Sequence, residues 1–142
     1  MSNPIVLIAE EDADTREVLR NLLEPHGYDV VGAEDAMLAC GLLSTVDPAV
    51  IIVDIMMPVV DGIGLIRWIR AREGHAETPI IAMSGYGEQH LREAMEVGAN
   101  TIAKKPENIP NLPSMVHRFL GRNKRDRSGS PEDSWGNSLT AN

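Results

Sequence analysis

Cysteine is nearly missing from this chain of 142 residues. With Cys40 alone there is no intramolecular disulfide and no paired-cysteine zinc or redox motif. Four histidines stand at no ligand-like spacing, so a structural metal cluster is not expected. Long apolar runs are missing too. The longest near the start, residues 4–9, is far shorter than a signal-peptide core and has no basic segment before it. A cytoplasmic location without membrane insertion is therefore expected. Positive charge is scarce through most of the chain: residues 1–120 carry 9 Lys or Arg against 18 Asp or Glu. Such an acidic body repels duplex phosphates and argues against nucleic-acid binding. The basic stretch 118–127 is read as a solvated helix end and linker.

What is present is ordinary globular material, with 43% hydrophobic and 24% charged residues and a net charge of -8. One domain is expected, able to bury roughly two thirds of its unfolded surface without a staple. Five short Val- and Ile-rich runs, at residues 5–9, 29–33, 49–53, 79–83 and 99–103, read as strands. Three are apolar throughout, which suits parallel strands covered on both faces.

Segments of helical period separate them. Val18, Leu19, Leu22 and Leu23 form a first stripe, with Asp14 or Thr15 as its cap and Gly27 beyond its end. Asp35 caps a second, with Met37, Cys40 and Leu43 or Leu38 and Leu42 turned inward and Asp47-Pro48 as the stop. Leu65, Ile66 and Ile69 mark a third, and Leu91, Ala94, Met95 and Val97 a fourth that ends at Gly98. Met115, Val116, Phe119 and Leu120 mark a fifth, with Pro113 in its first turn. The alternation predicts a doubly wound parallel α/β domain over residues 1–120. Residues 121–142, polar apart from Trp135 and Leu139, read as a disordered tail.

In an open parallel sheet, ligands bind beyond the carboxyl ends of the strands. Here those ends carry Glu10-Glu11-Asp12, Asp54, Ser84-Gly85 and Lys104-Lys105-Pro106. At ~4 Å and an effective dielectric of 20, each pair of ionised carboxylates costs about 4 kcal/mol, so a divalent cation is the natural relief. Magnesium takes oxygen ligands, while EF-hand calcium spacing is absent. Asp54 beside a metal is placed to act as an oxygen nucleophile that accepts a phosphoryl group. The cation, Lys105 and the Ser84 hydroxyl would then surround the transferred oxygens.

These residues resemble the receiver domain of two-component response regulators. The likeness runs from residue 4 to about 120 and rests on Val53-Asp54-Ile55-Met56-Met57-Pro58-Val59-Val60-Asp61-Gly62, on Ser84-Gly85, and on Gly98-Ala99 followed by Lys105-Pro106. It implies a flavodoxin-like sheet of strand order 2-1-3-4-5 with five helices. Asp54 is then the phosphoacceptor. Magnesium would be held by Glu10, Glu11, Asp54 and the backbone carbonyl of Met56. Ser84 becomes the switch hydroxyl and Lys105 the cation that meets aspartate or phosphate, its direction set by a cis bond before Pro106. The implied donor is a sensor histidine kinase or histidine phosphotransfer protein, with output through contact with an unknown downstream protein or onward phosphotransfer. Such a chain signals as a single domain and is not an enzyme beyond its own phosphotransfer and dephosphorylation.

Departures from the family pattern refine this. The direct metal ligand is usually Asp, whereas Glu11 is longer by one carbon-carbon bond of about 1.5 Å. Ile102 stands at the aromatic switch position, three residues before Lys105. Tyr86 is expected to cover the phosphosite instead, and with Met56 to exclude hydrolytic water, giving a long-lived phosphorylated form. Pro110 and Pro113 alter the start of the last helix. The alternative is a degenerate receiver acting as a phosphorylation-independent interaction module. A flavin binder is disfavoured because Glu10, Glu11 and Asp12 would repel its phosphate. An aspartate-nucleophile phosphatase would want a second Asp where Met56 stands.

Overall fold

The computed structural model describes residues 2–57, 60–85 and 88–128. Its elements are β1 (Ile5–Ala9), α1 (Ala13–Leu23), β2 (Asp29–Ala33), α2 (Ala36–Leu42), β3 (Val50–Asp54), α3 (Gly62–Ala71), β4 (Ile80–Ser84), α4 (Glu88–Val97), β5 (Thr101–Lys104) and α5 (Leu112–Ser128). The five strands are parallel, in the order β2-β1-β3-β4-β5. The expected doubly wound, flavodoxin-like sheet is thus the one that forms.

Every residue of β3 and β4 is buried, in keeping with runs that are apolar up to their final Asp54 and Ser84. Alternate residues enter different cores. Leu7, Ile51, Val53 and Ile80 pack beneath α2, α3 and α4 with Ala36, Leu65, Ile66 and Ala94. Val6, Ile8, Ile52 and Met83 pack on the opposite face against α1 and α5 through Leu19, Leu23, Val116 and Phe119. Burial on both faces locks strand register, because a slip of one residue would send every side chain to the wrong layer.

Four helices differ from the sequence reading. Asp12, not Asp14 or Thr15, caps α1, and its carboxylate accepts from the Thr15 amide at 2.9 Å and hydroxyl at 2.6 Å. In α2 the expected inward Met37 is 73% exposed and Leu38 also faces out. Asp35 caps this helix in the phase that turns Ala36 and Ala39 to the sheet, so small residues carry the close approach. The helix ends at Leu42, before Asp47-Pro48. Val18 and Met95 are likewise exposed members of the stripes read for α1 and α4. The last correction is at the C-terminal end, where α5 continues to Ser128 rather than giving way at Gly121 to an irregular tail. Residues 129–142, with Trp135 and Leu139, lie outside the described residues.

Two glycines hold close approaches. A Cβ on Gly62 would lie 2.4 Å from both the Asp54 carbonyl oxygen and Ile55 Cα, so the chain after β3 can fold back onto α3 only with glycine there. Gly98 has φ +125° and a Cβ there would meet Arg70 Cγ at 2.7 Å. Arg70 in turn donates to the carbonyls of Gly98 (2.9 Å), His75 (3.1 Å) and Thr78 (2.7 Å) and to Asn100 Oδ1 (2.7 Å). These bonds tie the end of α4 to the entry of β4.

Gly62→Ala therefore forces backbone apart next to Asp54, and we expect a loss of about 1–3 kcal/mol in urea unfolding. Gly41→Ala, inside α2 with nothing within 4 Å of the new methyl, should raise stability by roughly 0.5–1 kcal/mol. Equal effects would contradict the packing.

Candidate functional site

The site is built where β1, β3, β4 and β5 end on the same edge of the sheet. Glu10 follows β1 and its backbone N–H donates to the Ala33 carbonyl at the end of β2 (2.9 Å), so the strand pairing itself places it. Its carboxylate is 1% exposed and turns inward, accepting the Asp12 amide on Oε2 at 3.0 Å. Arg16, one turn into α1, donates to the carbonyls of Glu10 (2.6 Å) and Glu11 (3.0 Å) and fixes the acidic loop by its backbone. Asp54 closes β3 and is 5% exposed. Its Oδ1 accepts from the Met56 amide at 3.0 Å.

Lys105 links the two carboxylates. Its Nζ donates to Glu10 Oε1 at 2.5 Å and to Asp54 Oδ2 at 3.2 Å. The Lys105 amide donates to the Ser84 carbonyl at 2.9 Å, which hangs the lysine from the end of β4, and the Lys105–Pro106 peptide is cis. Ser84 is buried at that strand end, in register with Lys104.

Charge and burial act against each other here. Burial pushes the Glu10 carboxyl above the usual range, against hydrogen bonds from Lys105 and Asp12 that pull it down. Burial alone would lower the Lys105 ammonium, but the Glu10 hydrogen bond and the Asp54 charge outweigh it and hold Lys105 above the ordinary lysine value. Hydrogen bonds from Thr15 keep Asp12 below the usual carboxylate range.

Not every expected site residue joins this cluster. Glu11 is exposed, and among the described residues no group of three acidic, histidine or cysteine side chains is gathered to hold a metal ion. The contact formed by Met56 is through its amide, while its side chain is 42% exposed. Ile102 is half-buried against the α3–α4 core, and Lys104 is exposed. Tyr86 lies outside the described residues. Sequence reasoning missed Arg16, the capping role of Asp12 and the Glu10–Lys105 pair. Only the cap had a local signal, an Asp three residues before Thr15.

The donor set is nonetheless suited to a hard cation. Glu10 and Asp54 share a single ammonium, so two buried carboxylates face one positive charge and a net negative site remains. One or two carboxylates are what magnesium commonly takes from protein.

Residues 6–117 match the response regulator receiver domain. The chain belongs to that family. As a receiver domain it is a signalling module of two-component systems. It is 32% identical over 115 residues to an uncharacterized 14.6 kDa protein of Leptolyngbya boryana, covering 80% of this chain and 88% of that one. A probable transcriptional regulator, ycf27, of Guillardia theta is 34% identical over 121 residues, 84% of this chain and 46% of that protein. The chain thus spans about half the length of several curated relatives that it matches. The chemotaxis response regulator CheY4 of Vibrio cholerae superposes with a TM-score of 0.77 at 27% identity, over 84% of this chain and 100% of that one. Receiver domains interact with histidine kinases or phosphotransfer proteins and generally bind Mg2+. Among the described residues no helix is long and apolar enough to cross a membrane.

Replacing Lys105 by Met keeps the stem and removes the charge both carboxylates share. A fully buried pair would lose ~3–5 kcal/mol on losing one partner, and solvent screening of the Lys105 head reduces that to about 2 kcal/mol here. The sign of the pH dependence follows from the raised ammonium. Its contribution is complete below the ordinary lysine value of about 10.4 and is lost as pH rises through the higher folded value. The gap between wild type and Lys105→Met in denaturant unfolding should therefore persist from neutrality to pH 10 and close only beyond it; closure near pH 8 would contradict this.

Proposed function

We propose that Asp54 accepts a phosphoryl group from a phosphohistidine on a sensor histidine kinase or histidine phosphotransfer protein, in a magnesium-dependent reaction. The observation that supports this reading is the buried Asp54 carboxylate held between the Met56 amide and the Lys105 ammonium at the edge of a parallel sheet. In the transfer, an Asp54 carboxylate oxygen forms a bond to phosphorus as the phosphorus–nitrogen bond of the donor breaks, and the freed imidazole takes up a proton. The product is an acyl phosphate.

Each neighbour has a part in that step. Lys105 stays protonated and neutralises charge on the oxygens of the incoming group. The Met56 amide keeps one Asp54 oxygen oriented. Ser84, at the adjacent strand end, is the hydroxyl placed to meet the phosphoryl group and carry the change toward α4 and β5. Glu10 and Asp54 would hold magnesium with water completing its shell, and Glu11 would join by turning inward from the rim. Bound magnesium would supply charge neutralisation at the phosphoryl oxygens.

A second reading, an interaction module independent of phosphate, draws on one observation: Glu11 stays exposed and outside the acidic cluster. Intact mass after incubation with magnesium and acetyl phosphate separates the two. We expect one phosphoryl adduct in the wild type and none in Asp54→Asn or without magnesium. The adduct should outlast, several-fold, that of a variant with Met56→Asn and Tyr86→Ser. An adduct that survives in Asp54→Asn, or none in the wild type from either acetyl phosphate or a phosphohistidine donor, would contradict phosphoryl transfer to Asp54.

A further inference from the structure

The edge of the sheet at β5 carries a groove of about 340 Å³ lined by Leu91, Arg92, Ile102, Lys104 and Asn108. Its chemistry differs from the rest of the domain. Residues 1–120 have twice as many acidic as basic side chains, yet among the described residues this lining has two cations and no carboxylate. Leu91 and Ile102 supply an apolar floor, and Met95, four residues after Leu91 on α4, is an exposed apolar side chain. Asn108 fixes one wall, because its Oδ1 accepts the Lys104 amide at 2.9 Å while its own N–H donates to the Lys104 carbonyl at 2.7 Å. The groove thus fits an aromatic or large apolar side chain next to negative charge.

The chain carries such a segment beyond α5. Residues 131–135 read Pro-Glu-Asp-Ser-Trp, and Trp135 is the largest apolar side chain after Ser128. We propose that this segment folds back onto the α4–β5 groove of its own chain, with the Trp135 indole on Leu91 and Ile102 and the carboxylates of Glu132 and Asp133 toward Arg92 and Lys104. Charge complementarity and reach support it. Seven residues lead from Ser128 to Trp135, which extended cover at most about 23 Å, enough to retrace most, but not all, of the ~25 Å length of a helix with the 17 residues of α5. The indole can therefore return along α5 to the level of β5. A short tether raises the effective concentration to roughly the millimolar range, so a contact too weak to form between separate molecules forms within one. An indole over Arg92 adds a cation–π attraction. The segment would then occupy the groove against any partner that reaches for the same apolar floor, whether or not Asp54 accepts phosphate.

Amide and indole resonances of the full chain test this. Trp135→Ala should shift the amides of Leu91, Arg92, Ile102, Lys104 and Asn108 while leaving β1 and β3 in place. The Trp135 indole resonance should differ from that of a free peptide of residues 129–142. Lys104→Glu should move it toward the free position, and Glu132→Lys with Asp133→Lys in that background should restore it. The proposal is overturned if Trp135→Ala leaves the groove amides unmoved, if the indole resonates as in the free peptide, or if the shifts scale with protein concentration. The last result would seat the tail on a second copy instead.

Discussion

One ammonium shared by two buried carboxylates is the constraint on which the rest of this molecule turns. Glu10, Asp54 and Lys105 come from the ends of β1, β3 and β5, and the Lys105 ammonium gives both buried carboxylates an ion-pair partner. Lys105 reaches across from the edge strand because the Ser84 carbonyl receives its amide and directs the turn after β5. On the other side, Arg16 binds the carbonyls of Glu10 and Glu11, leaving the Glu10 carboxylate to turn inward. The pair of bonds from Lys105 is thus set by backbone placement at both ends of a span of 95 residues in sequence.

The fold supplies rigidity in support of that cluster. Two apolar layers, one on each face, hold the strands in register, and the absence of any side chain at Gly62 lets α3 begin directly against Asp54. At the opposite edge of the sheet Arg70 gathers three carbonyls and Asn100, tying the far end of α4 in place.

The sheet was legible in the sequence because β1, β3 and β4 are buried on both faces and so read as unbroken apolar runs. Asp54, Ser84 and Lys105 were legible for a related reason, since each directly follows or ends such a run. The phase of α2 was legible only in part. Cys40, Leu42 and Leu43 pack on the core as read, but Met37 and Leu38 face solvent while Ala36 and Ala39 are the buried positions, so hydrophobicity misplaced two residues where close packing called for small side chains. The extension of α5 through residues 121–128 was hidden by their polarity, which in a terminal helix is compatible with helix propensity. Nor could spacing reveal that Glu10, rather than Glu11, is the acidic residue paired with Lys105, because which side chain turns inward depends on the Arg16 and Asp12 contacts made by the loop.

Those contacts leave the site with more negative than positive charge, and its chemistry rests on that imbalance. Calorimetric titration with magnesium at neutral pH tests it most directly, with wild type beside Glu10→Gln and Asp54→Asn. The account predicts a single site in the wild type, weakened by an order of magnitude or more in each variant. Wild-type protein that binds no magnesium, or binds it equally well after both substitutions, would contradict it.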